Sequence, residues 1–116
     1  MDHDPRAYLW NARESADAIA EFVRGLTFDG YVANVMLRSA VERQFEIIGE
    51  ALRKLEKAAP DLAERLPERS QAIAFRNILI HGYDSIDHFI VWRTIHESLP
   101  APRARLAYLL DQTGGA

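Results

Sequence analysis

The sequence predicts an all-α protein: an up-and-down bundle of four to five helices in one domain covering residues 1–116. Three observations carry this expectation. Apolar residues recur at spacings of three and four through nearly the whole chain, the signature of amphipathic helices. Prolines and short capping side chains divide those stretches and leave only short connections between them. No alternating apolar–polar run suited to a half-buried strand appears, and no repeat or low-complexity tract.

Asp4 followed by Pro5 supplies an N-cap and a first helical position. Leu9, Ala12, Ala16, Ile19, Val23 and Leu26 then mark a first helix over about 5–25. Thr27-Phe28-Asp29-Gly30 breaks it, with Asp29 expected to cap the next. From Tyr31, the series Val41, Phe45, Ile48, Leu52 and Leu55 predicts a long second helix to about Ala58, pairing with the first as an antiparallel hairpin. Gly49 lies in its middle, where glycine costs roughly 1 kcal/mol relative to alanine, so a packing helix is expected to approach closely there. Glu42, Glu46 and Glu50 form an i, i+4 ladder. With Arg38, Arg53 and Lys54 nearby, it reads as a solvated face rather than a metal or acid–base site.

Pro60 and Pro67 bracket at most a turn or two of helix before a third main helix begins near Glu68. Asp84-Ser85 restarts the chain, and Ile86, Phe89, Ile90, Trp92 and Ile95 predict a fourth helix that Pro100 and Pro102 close. A short last helix carries Leu106, Leu109 and Leu110. The ordered core is expected over about 5–111, with 112–116 a flexible tail.

Composition narrows the function classes. At 116 residues and 13.2 kDa the chain can bury a core without staples, and the absence of cysteine excludes disulfides and thiolate metal sites. Met1-Asp2-His3-Asp4-Pro5 has none of the features of a signal peptide, and no apolar stretch approaches a membrane span, so a soluble cytoplasmic protein is expected. The net charge of -3 argues against broad binding along nucleic acid, which needs a basic footprint. The charge is uneven: residues 1–68 hold 9 Lys+Arg against 13 Asp+Glu, whereas residues 69–116 hold 5 against 4. A local phosphate site in the second half therefore stays open.

That half contains Arg76-Asn77-Ile78-Leu79-Ile80-His81-Gly82-Tyr83, four reactive polar side chains in an otherwise apolar segment. On an ideal helix Phe75, Ile78 and Leu79 cover one face and Ile73 and Ile80 another, which places the segment inside a bundle or between a bundle and a second subunit. Arg76 and His81 diverge by about 140° on such a helix, whereas Asn77 and His81 share a face. Either the helix ends at Gly82, a residue suited to a left-handed C-cap, or a second copy completes the site; both are expected.

Metal chemistry finds no support in the spacing. No Glu has a His three residues on, and His81, His88 and His96 are spaced 7 and 8 apart, so no metal or cofactor is expected. Arginine offers a fork of donors for phosphate, and histidine exchanges protons near neutral pH. These are sufficient parts for metal-independent RNA cleavage, with His81 as base and Arg76 stabilising the phosphoryl charge. Spacing alone favours a structural role over a catalytic one, with a buried Arg76 and His81 satisfying each other and neighbouring carbonyls at a helix end.

The motif R-N-I-L-I-H-G-Y resembles the R-x4-H-x-Y motif of the HepT-like proteins of the HEPN superfamily. The resemblance extends over about residues 5–105. Ile47-Ile48-Gly49-Glu50-Ala51 is similar to the family's second helix, and Ser85 to Trp92, with Ile95 and Leu99-Pro100, to the region after the motif. One departure is that Leu66-Pro67-Glu68 lacks the tryptophan that often follows this proline. The resemblance implies a homodimeric toxin ribonuclease, with Arg76 and His81 catalytic and the cleft where two motif helices face; Asn77, on one face with His81, is expected to support them. It further implies a minimal nucleotidyltransferase antitoxin that transfers AMP from ATP to Tyr83. The RNA is expected to be small or shape-defined, such as a transfer RNA end, given the acidic chain. Two other readings remain: a non-catalytic helical partner of the transferase, and a helical oligomerisation domain with Tyr83 packed away.

Overall fold

The computed structural model describes residues 4–114, and every regular element among them is helical. The α-helices are α1 (Pro5–Phe22), α2 (Phe28–Val32), α3 (Val35–Ala58), α4 (Pro60–Glu64), α5 (Arg69–His81), α6 (His88–Arg93) and α7 (Pro100–Gly114). A 3₁₀ turn occupies Tyr83–Ser85, and a π turn, Thr94–Ser98, joins α6 to α7.

Helix α3 is the spine. Along one side it packs on α1, along another on α5, and α7 lies on α1. The apolar positions that predict α1 and α3 are buried except Leu26, which is exposed because α1 ends at Phe22, short of the expected 25: Leu9, Ala12, Ala16 and Ile19 share one core with Val41, Phe45, Ile48, Leu52 and Leu55. Leu106, Leu109 and Leu110 close the core from α7. Long-range ion pairs tie the outer helices down: Arg103 meets Asp17 of α1 at 2.7 Å, and Arg105 grips Glu68, just before α5, with contacts of 2.9 to 3.3 Å.

Several local details depart from the expectations. Thr27, not Asp29, caps α2, accepting from Gly30 N–H at 3.1 Å; Asp29 is already inside the first turn. The expected helix from Tyr31 is split. Ala33 ends α2, and Asn34 turns to extended backbone and caps α3 by accepting from Leu37 N–H at 3.0 Å. This separate α2 buries Tyr31 completely, its ring 5.4 Å from that of Trp92.

The prolines after the fourth helix begin a helix instead of closing one. Pro100 has no N–H and crowds the carbonyl four residues back. The chain widens just before it into the π turn, with Leu99 N–H donating to Thr94 O at 3.0 Å, and α7 then starts at Pro100. Helix α7 runs on to Gly114, past the expected end of the ordered core near 111; residues 115–116 of the expected tail lie outside the described residues. No described helix is long and apolar enough to cross a membrane.

Candidate active site

Helix α5 carries the motif, and its packing decides what each motif residue can do. The inner side presents Ala72, Phe75, Arg76 and Leu79 to α3; Phe75 meets Phe45 edge-on at 5.0 Å. The outer side carries Gln71, Ala74, Asn77, Ile78 and His81, all exposed. Ile78 is expected on a buried face with Phe75 and Leu79, but it is 61 % exposed, because α5 packs mainly on α3, on the side away from it. Each of the two apolar faces predicted for this helix is covered only in part: Phe75 and Leu79 of one and Ile73 of the other pack on the core, while Ile78 and Ile80 are exposed.

Arg76 reaches inward. One terminal nitrogen stands 3.0 Å from Glu50 Oε2 and the other donates to Asn77 Oδ1 at 2.9 Å, while Nε is enclosed without a hydrogen-bond partner. Only 19 % of the side chain is exposed. His81 is the last residue of α5 and exposed, and its side chain forms no hydrogen bond or ion pair among the described residues. The expected divergence of guanidinium and imidazole is thus present within one chain, and the alternative in which the two satisfy each other is not what the chain adopts.

Gly82 ends α5 as expected, though not through a left-handed turn: its φ is -110°. Space demands glycine there instead, since a Cβ would come within 2.9 Å of Ile78 O. The turn that follows leaves Tyr83 77 % exposed, which removes the reading in which it is packed away. With Asp84 and Ile86, Tyr83 lines an open polar cavity of about 300 Å³ whose far wall is Arg38, Ser39, Glu42 and His88.

That wall is electrostatically loaded. Burial pushes the Glu42 carboxyl above its ordinary range, against the opposing pull of His88 and Arg38, and Glu46 adds to the rise. Burial likewise drives the Tyr31 phenol well above its usual value, with Glu42 contributing. Tyr31 Oη and His88 Nδ1 are enclosed without hydrogen-bond partners. His96, by contrast, is exposed and leans on Trp92, the rings tilted by 50° with centres 4.3 Å apart. Among the described residues no group of three or more His, Asp or Glu side chains could hold a metal.

The carboxylate ladder is not the plain solvated face that its neighbours suggest. Glu46 does pair with Arg43 on the surface, at 3.3 Å, but Glu42 is half-buried and Glu50 turns to Arg76. The sequence reads Glu50 only as a member of that ladder, although a signal for its contact with Arg76 sits beside it: Gly49 marks the close approach that brings Arg76 within its reach.

Comparison with known proteins agrees with the motif. The family model described as ribonuclease HepT-like matches residues 12–109. A Methanocaldococcus jannaschii protein named "Putative RNase" is 36 % identical over 99 residues, covering 84 % of this chain and 88 % of its own. Another of that name, from Caldanaerobacter subterraneus, is 31 % identical and covers 93 % of this chain and 96 % of its own. A Thermococcus cleftensis protein named "Probable ribonuclease HepT" is 30 % identical, covering 94 % and 98 %. No solved structure matches significantly. A family model spanning most of the chain, and relatives aligned over nearly their whole length, place this chain in the HepT-like ribonuclease family.

Proposed function

We propose that the chain is a toxin ribonuclease that cuts RNA without a metal, at a site completed when two copies face each other across α5. The observation that carries this reading is the arrangement of the motif on a family-matched chain: Arg76 held inward, His81 free on an uncovered face, and Ile78 exposed between them. A second copy against that face would bury Ile78 and set the two motif helices side by side, with His81 of each at the seam.

His81 would take the proton of a ribose 2′-hydroxyl. The freed oxygen attacks the adjacent phosphorus, the bond to the 5′-oxygen breaks, and that oxygen takes up a proton, leaving a 2′,3′-cyclic phosphate and a 5′-hydroxyl. Arg76 would stabilise the charge on the non-bridging oxygens, with Asn77 steadying its guanidinium. Neutralisation would act through Tyr83, whose exposure supports the reading. A minimal nucleotidyltransferase antitoxin would let the phenol oxygen attack the α-phosphorus of ATP, releasing pyrophosphate and leaving AMP on the tyrosine. The added phosphodiester would occupy the place of the RNA phosphate.

The test is cleavage of total RNA in excess EDTA by the wild type, His81→Ala and Arg76→Ala. Loss of a general base costs roughly 10²–10⁴-fold, and the wild-type fragments should end in cyclic phosphate. The non-catalytic alternative, a helical partner of the transferase, draws on the commitment of Arg76 to Glu50. It predicts no cutting by any of the three proteins and an intact complex with the transferase for His81→Ala.

A further inference from the structure

The Arg76 stem lies over a gap that only glycine leaves. A Cβ on Gly49 would stand 2.3 Å from Arg76 Cβ, 2.9 Å from Cγ and 3.0 Å from Ala72 O, so α5 could not cross α3 at this height over any other residue. One position along, Glu50 Oε2 meets the guanidinium at 3.0 Å, and both side chains are mostly enclosed, at 38 % and 19 % exposed. On the other side Asn77 Oδ1 accepts from the guanidinium at 2.9 Å. The guanidinium thus sits between a carboxylate on α3 and an amide oxygen on α5, held from two directions, by an ion pair on one side and a hydrogen bond on the other.

We propose that Glu50, carried to the crossing by Gly49, is a positioning residue for Arg76. Gly49 sets how closely the helices approach; Glu50 then fixes the guanidinium plane, leaving the donors it does not use for a phosphate. The role rests on the RNA-cleaving reading above, but the restraint on Arg76 does not. An arginine stem free of such a partner samples many rotamers, and displacing a catalytic group by about 1 Å can cost on the order of 10²-fold in rate. The carboxylate also offsets the arginine charge, so Glu50 would serve turnover more than substrate affinity.

The experiment compares wild type, Glu50→Ala and Glu50→Gln as full-length chains, each checked for folding by thermal melting. Glu50→Ala should lower kcat by about 10²-fold with KM little changed, and Glu50→Gln, which keeps an acceptor at the same reach, should recover most of it. A merely structural carboxylate would lower Tm and leave kcat per folded molecule intact, which would overturn the proposal. In parallel, ¹⁵N-arginine spectra, with Arg76 assigned through Arg76→Lys, report the guanidinium directly. Slowed rotation in wild type that is lost in Glu50→Ala supports the restraint, and identical spectra overturn it. Should the wild type cut no RNA, the reaction reading fails on its own, and the spectra still decide whether Glu50 holds Arg76.

Discussion

Arg76 and Glu50 show how a single residue's surroundings change its meaning. A carboxylate in an i, i+4 ladder is usually a surface group, but Gly49 lowers α5 onto α3 and brings the arginine to it. Two other carboxylates respond to pH with opposite signs. The folded-state pKa of Glu42 is raised, so its ionisation opposes folding, and its unfavourable contribution fades as pH falls through the carboxylate range. Burial also works against Glu68, but its bonds with Arg105 prevail and depress its pKa, so its contribution is present at neutral pH and is lost as pH falls. Glu42→Gln should therefore raise Tm at neutral pH and Glu68→Gln lower it, with both differences shrinking in acid; melts across pH check the crossing trend. Tyr31→Phe should hold or gain stability, because a buried hydroxyl without a partner costs about 1–3 kcal/mol and the ring contact with Trp92 is kept.

Among the elements, α3 and α5 meet at the tightest point of the candidate site. Gly49→Ala should destabilise the fold despite the better helix propensity. Overpacking costs about 1–3 kcal/mol, against a gain near ~1 kcal/mol, and denaturant melts read the difference. Periodicity made α1, α3 and the apolar residues of α7 legible in the sequence, because burial at a fixed spacing is a local property. The split of α2 from α3 was less legible. It depends on Thr27 and Asn34 each finding the right N–H, and several short polar residues nearby could have done so. The widened turn before Pro100 was not legible either, since proline reads equally as a stop or a start. The outward turn of Ile78 followed from which helices flank α5, a fact of the whole bundle and not of the segment.

At the scale of the whole molecule, the motif was legible by its residue types and the divergence of Arg76 and His81 by their spacing, but which side of α5 the chain leaves open was not, because that depends on the helices that flank it. The uncovered α5 face is where a second copy would supply what is missing. Ile78→Glu should keep the monomer folded, since Ile78 is 61 % exposed, while abolishing both association and RNA cutting; sedimentation and a cleavage assay read the two effects. The most direct test of a site shared between copies is to mix Arg76→Ala with His81→Ala after unfolding and refolding them together. Each variant alone should be inactive. A mixed dimer keeps one unaltered Arg76 and one unaltered His81 on opposite chains, so the mixture should regain a fraction of wild-type cutting. A mixture as inactive as its parents, with mixed dimers shown to form, would contradict a site built from the arginine of one copy and the histidine of the other.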